Sequence, residues 1–448
     1  MLRRCLVVFA LSVCLATLSH VVAGEQPQPG EFPRLSFSGS IRARYEYLDN
    51  FTIRRYAVDE DDNILLTRLR LGADLLLRPN FRFYAELQDN RFFSEDFDVY
   101  DFPSACPYEN RLDLRQGFME AKHLWEGPWG FKIGRQAISY ADNRIWGPGD
   151  WGNTGRYLWD AAKVYYYTDA IQLDAIAGER VLPNALKFDG NHYPYQAYGL
   201  YARLPGLKPL TLEPFWVFKH DGNDTCKGES GVGDLNRHTL GAYAKDEFGN
   251  GFDASGTAAY QFGNEGKDDV HAYGCTGQLG YQFEVPLRPR FYAAYSYASG
   301  DSNPTDGKNQ TFDGVFGAVD QYYGRMNLLA WMNLVDYQLG ASIIPVNKMQ
   351  LSADYHIFAL AEEKDAWYYS NGKAQRRDKT GAAGNDIGQE IDLIAKYDVP
   401  LGGSRLAKAI KKLELMAGYG YFLPGSFVES TGNAGDAHWL FIQTMLSF

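Results

Sequence analysis

Hydrophobic and polar residues take turns along this chain with a period of two. Leu35, Phe37, Gly39, Ile41, Ala43, Tyr45 and Tyr47 alternate with Ser36, Ser38, Ser40, Arg42, Arg44 and Glu46. Leu69, Leu71, Ala73, Leu75 and Leu77 then alternate with Arg68, Arg70, Gly72, Asp74 and Arg78. Beyond Arg78-Pro79-Asn80, Phe81, Phe83, Ala85 and Leu87 alternate with Arg82, Tyr84, Glu86 and Gln88. Successive side chains of a strand point to opposite faces, so each segment predicts a strand with one side for lipid and one for water. The last segment, Leu440, Ile442, Thr444, Leu446 and Phe448, carries the pattern to a terminal aromatic. An open edge in lipid leaves backbone polar groups unsatisfied, so this segment predicts the strand that closes a barrel.

The connections come in two sizes. Arg78-Pro79-Asn80, Pro205-Gly206-Leu207-Lys208-Pro209, Pro286-Leu287-Arg288-Pro289 and Pro345-Val346-Asn347-Lys348 are short. Long polar connections are expected near 50–63, 94–110, 141–156, 183–194, 222–236, 263–270, 300–328, 363–387 and 425–436. Short turns alternating with long loops are the asymmetry of an outer-membrane barrel. Nine long loops predict an all-β, antiparallel transmembrane barrel of about 18 strands with both termini on the periplasmic side. Such a barrel encloses an aqueous channel unless it is plugged. A soluble propeller or sandwich is the other all-β option, but no blade-length repeat is present.

Composition narrows the class. Hydrophobic residues make up 45% of the 448 and aromatics 15%, which is too polar for a bundle of membrane helices. Arg3 and Arg4, the apolar run Leu6 to Leu18 and the small residue Ala23 read as a signal peptide over 1–23, cleaved after Ala23. A short segment, 24–33, then leads into a barrel over 34–448. This predicts export to the periplasm and residence in the bacterial outer membrane. Of the mature cysteines, Cys106 and Cys226 fall in expected outer loops, either paired or free, and Cys275 completes an odd count.

The formal net charge is −11, yet the acidic excess falls largely in loops such as Asp59-Glu60-Asp61-Asp62. The polar strand faces carry Arg42, Arg44, Arg68, Arg70, Arg82, Lys163, Arg180, Arg203, Lys219 and Arg237 against Glu46, Asp74, Glu86, Asp174 and Glu213. An Arg or Lys facing lipid at the midplane costs roughly 2–4 kcal/mol, so these side chains should point inward or sit near the rims. A net basic lumen favours anions; ion pairing that only holds the barrel in shape is the competing account of the same residues. Catalysis is not expected. Ser352 and His356 lie four residues apart on a strand, about 13 Å, too far for a nucleophile and its base. No Gly-x-Ser-x-Gly elbow, phosphate loop or metal-ligand cluster is present, and passage needs no cofactor.

Several segments go beyond pattern. Gly134-Arg135-Gln136, Tyr140-Ala141-Asp142-Asn143-Arg144 and Asp150-Trp151-Gly152-Asn153 resemble the alginate export family of outer-membrane barrels. So do Tyr297-Ala298-Ser299-Gly300-Asp301, Asp354-Tyr355-His356, Gly388-Gln389-Glu390-Ile391-Asp392 and Gly418-Tyr419. The terminal Phe448 resembles the assembly signal of such barrels, which implies contact with the barrel-assembly machinery. The family resemblance implies a monomeric barrel of 18 strands that passes a negatively charged polysaccharide through a basic lumen. Arg135, Arg144, Arg156 and Lys163 match its motif region and are expected in the constriction; alternatively Arg144, with Asp142 or Asp150, ties the loop down. At 400–412, Leu406, Ile410 and Leu413 recur at helical spacing among Arg405, Lys408, Lys411 and Lys412. This is the expected periplasmic gate or, failing that, a solvated turn. The expected function is an outer-membrane channel for anionic solutes, extending to uronate-rich polysaccharide such as alginate. Its expected surroundings are outer-membrane lipid and lipopolysaccharide, with no nucleic acid. A general porin for small nutrients and a non-conducting structural barrel are the alternatives.

Overall fold

The computed structural model describes residues 32–102, 106–318, 321–402 and 409–448. Its strands, in chain order, are β1 (Arg34–Phe51), β2 (Tyr56–Arg78), β3 (Phe81–Phe93), β4 (Asn110–Leu124), β5 (Trp129–Gln136), β6 (Leu158–Tyr167) and β7 (Gln172–Val181). There follow β8 (Asn191–Arg203), β9 (Thr211–Lys227), β10 (Val232–Gly249), β11 (Phe252–Glu265), β12 (Asp268–Gln282), β13 (Arg290–Ala298) and β14 (Lys308–Asn309). The last seven are β15 (Leu334–Ile343), β16 (Met349–Ala359), β17 (Ala366–Tyr368), β18 (Ala374–Arg377), β19 (Asp386–Asp398), β20 (Lys412–Pro424) and β21 (Ala437–Ser447). Eighteen of them form one closed antiparallel barrel, each paired with the next. The exceptions are loop elements: β14 adds to β12 in parallel, and β17 pairs only with β18.

The alternation written in the sequence becomes the two faces of the wall. Phe37 is 59% exposed on the outside, whereas Arg42 and Arg44, on the other parity of the same strand, are 3% exposed inside. Leu71, Leu87, Leu440 and Ile442 continue the outer apolar surface. Closure comes from β21, which pairs with β20 on one side and β1 on the other, from Asp49 opposite His438 to Ser40 opposite Ser447. The pairing reaches the last residue, because Gly39 and Phe448 exchange both backbone hydrogen bonds at 3.0 Å. No helix among the described residues is long and apolar enough to cross a membrane.

Three of the nine expected long loops are corrected. Residues 50–63, 222–236 and 263–270 are mostly strand, and only tight turns separate β1 from β2, β9 from β10 and β11 from β12. The acidic run 59–62 therefore lies within β2, not in a loop. A membrane strand needs about 9–11 residues, but β2 has 23. The hairpins continue their hydrogen bonding above the lipid, where neither face needs to be apolar, so the alternation stops before the strand does. Cys106, Cys226 and Cys275 are free, so Cys106 and Cys226 do not pair. The expected signal peptide, Arg405 and Lys408 lie outside the described residues. Of the other two gate residues, Lys411 donates its backbone N–H to Ser447 O, and Lys412 opens β20, bonded to Asp398 and Glu414.

Gly39 leaves room for closure. A Cβ there would stand 2.4 Å from the Phe448 ring and 2.8 Å from the Arg70 carbonyl oxygen, so moving the ring alone does not relieve it. Gly39→Val is expected to cost about 1–3 kcal/mol by overpacking. Its folded band in unheated gels should convert to the unfolded position at a lower temperature than wild type.

Candidate functional site

The connection from β5 to β6, residues 137–157, does not project outward. It folds into the lumen and is clamped against the inner faces of β1 and β2. Arg42 donates to the main-chain oxygens of Trp151 (2.9 Å) and Gly152 (3.1 Å) and to Asn153 Oδ1 (3.0 Å). Arg44 donates to Trp151 O at 3.0 Å and lies over the Trp151 ring, 4.4 Å from its centroid. Arg68 donates to Asp150 O (2.9 Å) and Gly152 O (3.1 Å). Asn153 is the pin: its Nδ2 donates to Tyr108 O at 2.6 Å and to Thr67 O at 3.2 Å. The turn before it needs Gly149, whose φ is +65° and whose added Cβ would meet the Arg156 Cβ at 2.6 Å.

A second connection, residues 299–333 between β13 and β15, also enters the lumen and meets the first. Trp146 and Phe316 form a parallel bridge, with Gly147 N–H to Phe316 O and Phe316 N–H to Ile145 O, each 3.0 Å. Phe316 packs edge-on to Trp159, with ring centroids 4.6 Å apart. The second loop has its own wall anchors. Lys219 pairs with Asp313 at 2.6 Å, and Arg237 donates to Thr311 O at 2.9 Å. Arg325 N–H and Met326 N–H bond to Asp392 and Glu390 at 2.9 and 3.0 Å. Beside this crossbar Arg180 lies over the Tyr157 ring (4.4 Å) and Lys219 over the Tyr195 ring (4.6 Å). Burial alone would raise the Tyr157 phenol, yet Arg156, Arg180 and Lys219 outweigh it and draw the phenol below its ordinary range.

Arg44, Arg70, Arg82, Arg135, Arg144, Lys163 and Arg203, all expected to line the pore, have carboxylate partners. The pairs are Arg44 with Glu46, Arg70 with Asp150, Arg82 with Asp74, Arg135 with Asp160, Arg144 with Asp142, Lys163 with Asp174 and Arg203 with Glu213. Arg144 also bonds to Tyr323 and stacks over Tyr322, so it fastens one inward loop to the other. Arg42 and Arg68 rest on main-chain carbonyls instead, and Arg156 lies over the Tyr157 ring.

The lumen also carries buried acids. Asp336, Asp354, Glu390 and Asp392 lie buried on the inner faces of β15, β16 and β19, with His356 bonded to Asp336 at 3.0 Å. These strands were not weighed in the sequence count of charges. Base outnumbers acid around the clamped turn itself, where Arg42, Arg44, Arg68, Arg70 and Arg115 meet Glu46, Glu86 and Asp150. Arg115 had escaped sequence reading. A bulge between the pairs Glu86–Gln116 and Leu87–Leu114 leaves it as the extra residue and breaks the period of two.

Asn153→Ala removes a buried side chain that both donates and accepts. It should cost about 1–3 kcal/mol of loop anchoring, read as a noisier open-channel current. A second expectation concerns pH. Asp301, where the chain leaves β13, has its carboxyl pushed up to about 7 by burial, then by Glu229 and Asp365. A raised carboxyl favours the protonated form, so its contribution is full below the unfolded value and is lost as pH climbs through about 7. Hydrogen exchange across 299–312, corrected for intrinsic rates, should be faster at about pH 8 than at about pH 5.5, and Asp301→Asn should flatten the difference.

Known proteins place the architecture. No curated protein matches the chain in sequence. Among solved structures, Acinetobacter baumannii OccAB2 superposes with TM-score 0.61 at 12% identity, over 92% of this chain and 98% of that one. Pseudomonas aeruginosa OccK8 (OprE) gives TM-score 0.59 at 12% identity, over 92% and 98%. The outer membrane protein OprD from Pseudomonas aeruginosa gives 0.58 at 12% identity, over 95% and 97%. At such identities the likeness concerns fold alone, that of porin-like barrels. The model of the alginate export family matches residues 33–440, which span the closed wall, the clamped loop and the crossbar, and the chain therefore belongs to that family of bacterial outer-membrane barrels.

Proposed function

We propose that the barrel is a channel for anionic solutes, uronate-rich polysaccharides such as alginate among them. The observation that carries this reading is the way Arg42 and Arg68 are satisfied. Their hydrogen bonds go to neutral oxygens, main-chain carbonyls and, for Arg42, the Asn153 amide, so the positive charge is not cancelled. An arginine cannot be deprotonated in a protein, so these two guanidiniums keep their charge at every working pH. Arg156 and Arg180, both over the Tyr157 ring, add cationic groups beside the crossbar. Attraction spread over such charges, without one deep site, suits a solute that must leave as well as enter. Within this reading the chain carries a leader over 1–23, is inserted by the barrel-assembly machinery, and works as a monomer beneath lipopolysaccharide.

The competing reading is a general porin. It is favoured by the paired cations, which contribute little net field. Reversal potentials across planar bilayers under a salt gradient separate the two. Wild type is expected to prefer chloride over potassium, and the Arg42→Gln, Arg68→Gln double variant to lose part of that preference. A wild-type channel that prefers cations would overturn the anionic reading. Equal passage of glucose and glucuronate would favour the general porin.

A further inference from the structure

The basic cluster around the clamped turn holds a carboxylate of the protein itself. Asp150 Oδ1 accepts from Arg70 Nη1 at 3.0 Å and from Arg115 Nη2 at 2.7 Å. Arg68 adds its charge beside them while bonding the main-chain oxygen of the same residue. The Asp150 side chain is 52% exposed, so solvent in the lumen reaches it, whereas those of Arg70 and Arg115 are 12% and 4% exposed. One oxygen thus takes both bonds. Arg70 Nε and Nη2 and Arg115 Nε are buried with no hydrogen-bond partner among the described residues. A carboxylate has about four lone-pair sites, and paired guanidiniums favour two-oxygen contact, so this cleft offers more donors than Asp150 uses. The tether is short and glycine-rich, Gly147-Pro148-Gly149 before Asp150 and Gly152 after it. The other hydrogen bonds that β1 and β2 side chains make to this turn go to main-chain atoms and to Asn153.

We propose that Asp150 is a tethered competitor, occupying an anion site on Arg70 and Arg115 that a permeating uronate carboxylate takes in its place. This rests on the channel passing anions. The exchange is electroneutral: one carboxylate enters the cleft, the other swings into the lumen water, and no proton moves. Although burial opposes it, Arg115, Arg70 and Arg68 hold the Asp150 carboxyl well below the usual carboxylate range, so the competitor stays charged wherever a uronate is charged. A site closed most of the time by its own ligand shows a weaker apparent affinity by the fraction that is open. If Asp150 holds the cleft about nine-tenths of the time, its removal tightens a free carboxylate about tenfold.

The test uses glucuronate as the probe and its concentration-dependent block of single-channel current in bilayers. Asp150→Asn is expected to bind glucuronate about tenfold more tightly than wild type, with no such change for glucose. Adding Arg115→Gln should abolish the gain. Because the turn itself leans on residue 150, Asp150→Glu serves as a second variant: it keeps the charge and should retain the weak affinity of wild type. Glucuronate block that is unchanged or weaker in Asp150→Asn, while wild type still prefers anions, overturns the competitor alone. Equal tightening in Asp150→Glu and Asp150→Asn also overturns it, since charge would then be irrelevant. Cation preference in wild type removes the anionic reading as a whole.

Discussion

Lipid offers a peptide group no partner, and every strand of this wall answers to that fact. An unpaired N–H or C=O in hydrocarbon costs several kcal/mol, so a sheet in a membrane must end where it began. Here the end is literal: β21 lies between β20 and β1, and pairing continues to Phe448. The small residue at 39 and the large one at 448 are two halves of one contact. Outside the lipid the constraint lapses. There the hairpins lengthen freely, and acids such as Asp61 can sit within a strand.

The same accounting governs the interior. A loop folded into the lumen brings irregular backbone whose carbonyls need donors, because buried main-chain groups are almost always paired. The wall supplies guanidiniums. Each has several N–H groups in a fixed fork, which suits two successive carbonyls of a turn. Arg42 and Arg68 use that fork on Asp150, Trp151 and Gly152. The second loop draws on both resources: carboxylates of β19 accept its N–H groups, and Arg237 donates to its Thr311 carbonyl. The bridge between Trp146 and Phe316 couples the two loops mechanically.

Much of this was legible in residues alone. A period of two with a single apolar parity gave the barrel, its closing strand and the inward direction of Arg42, Arg44, Arg68 and Arg70. Nine outer connections gave the number of strands, although three of them are tight hairpins and not long loops. What failed did so for physical reasons. Strand ends above the lipid lose their pattern, so three hairpins read as loops. The bulge at Arg115 shifts parity by one, which hides an inward cation from any count by alternation. The pairing of Arg135 with Asp160 joins residues far apart in the chain, and no local spacing encodes it. Nor does any local signal say that 137–157 folds inward, since its hydrogen bonds go to strands about a hundred residues upstream.

Anchoring through main-chain oxygens has an evolutionary corollary. A guanidinium that grips the carbonyls of Trp151 and Gly152 recognises the path of the backbone and is indifferent to the side chains it carries. Within this turn, Asp150, Asn153 and Thr154 are held by their own polar side-chain atoms. Related channels are thus free to drift along the remainder of the segment, altering the width and greasiness of the passage, without surrendering the fastening that keeps it inside.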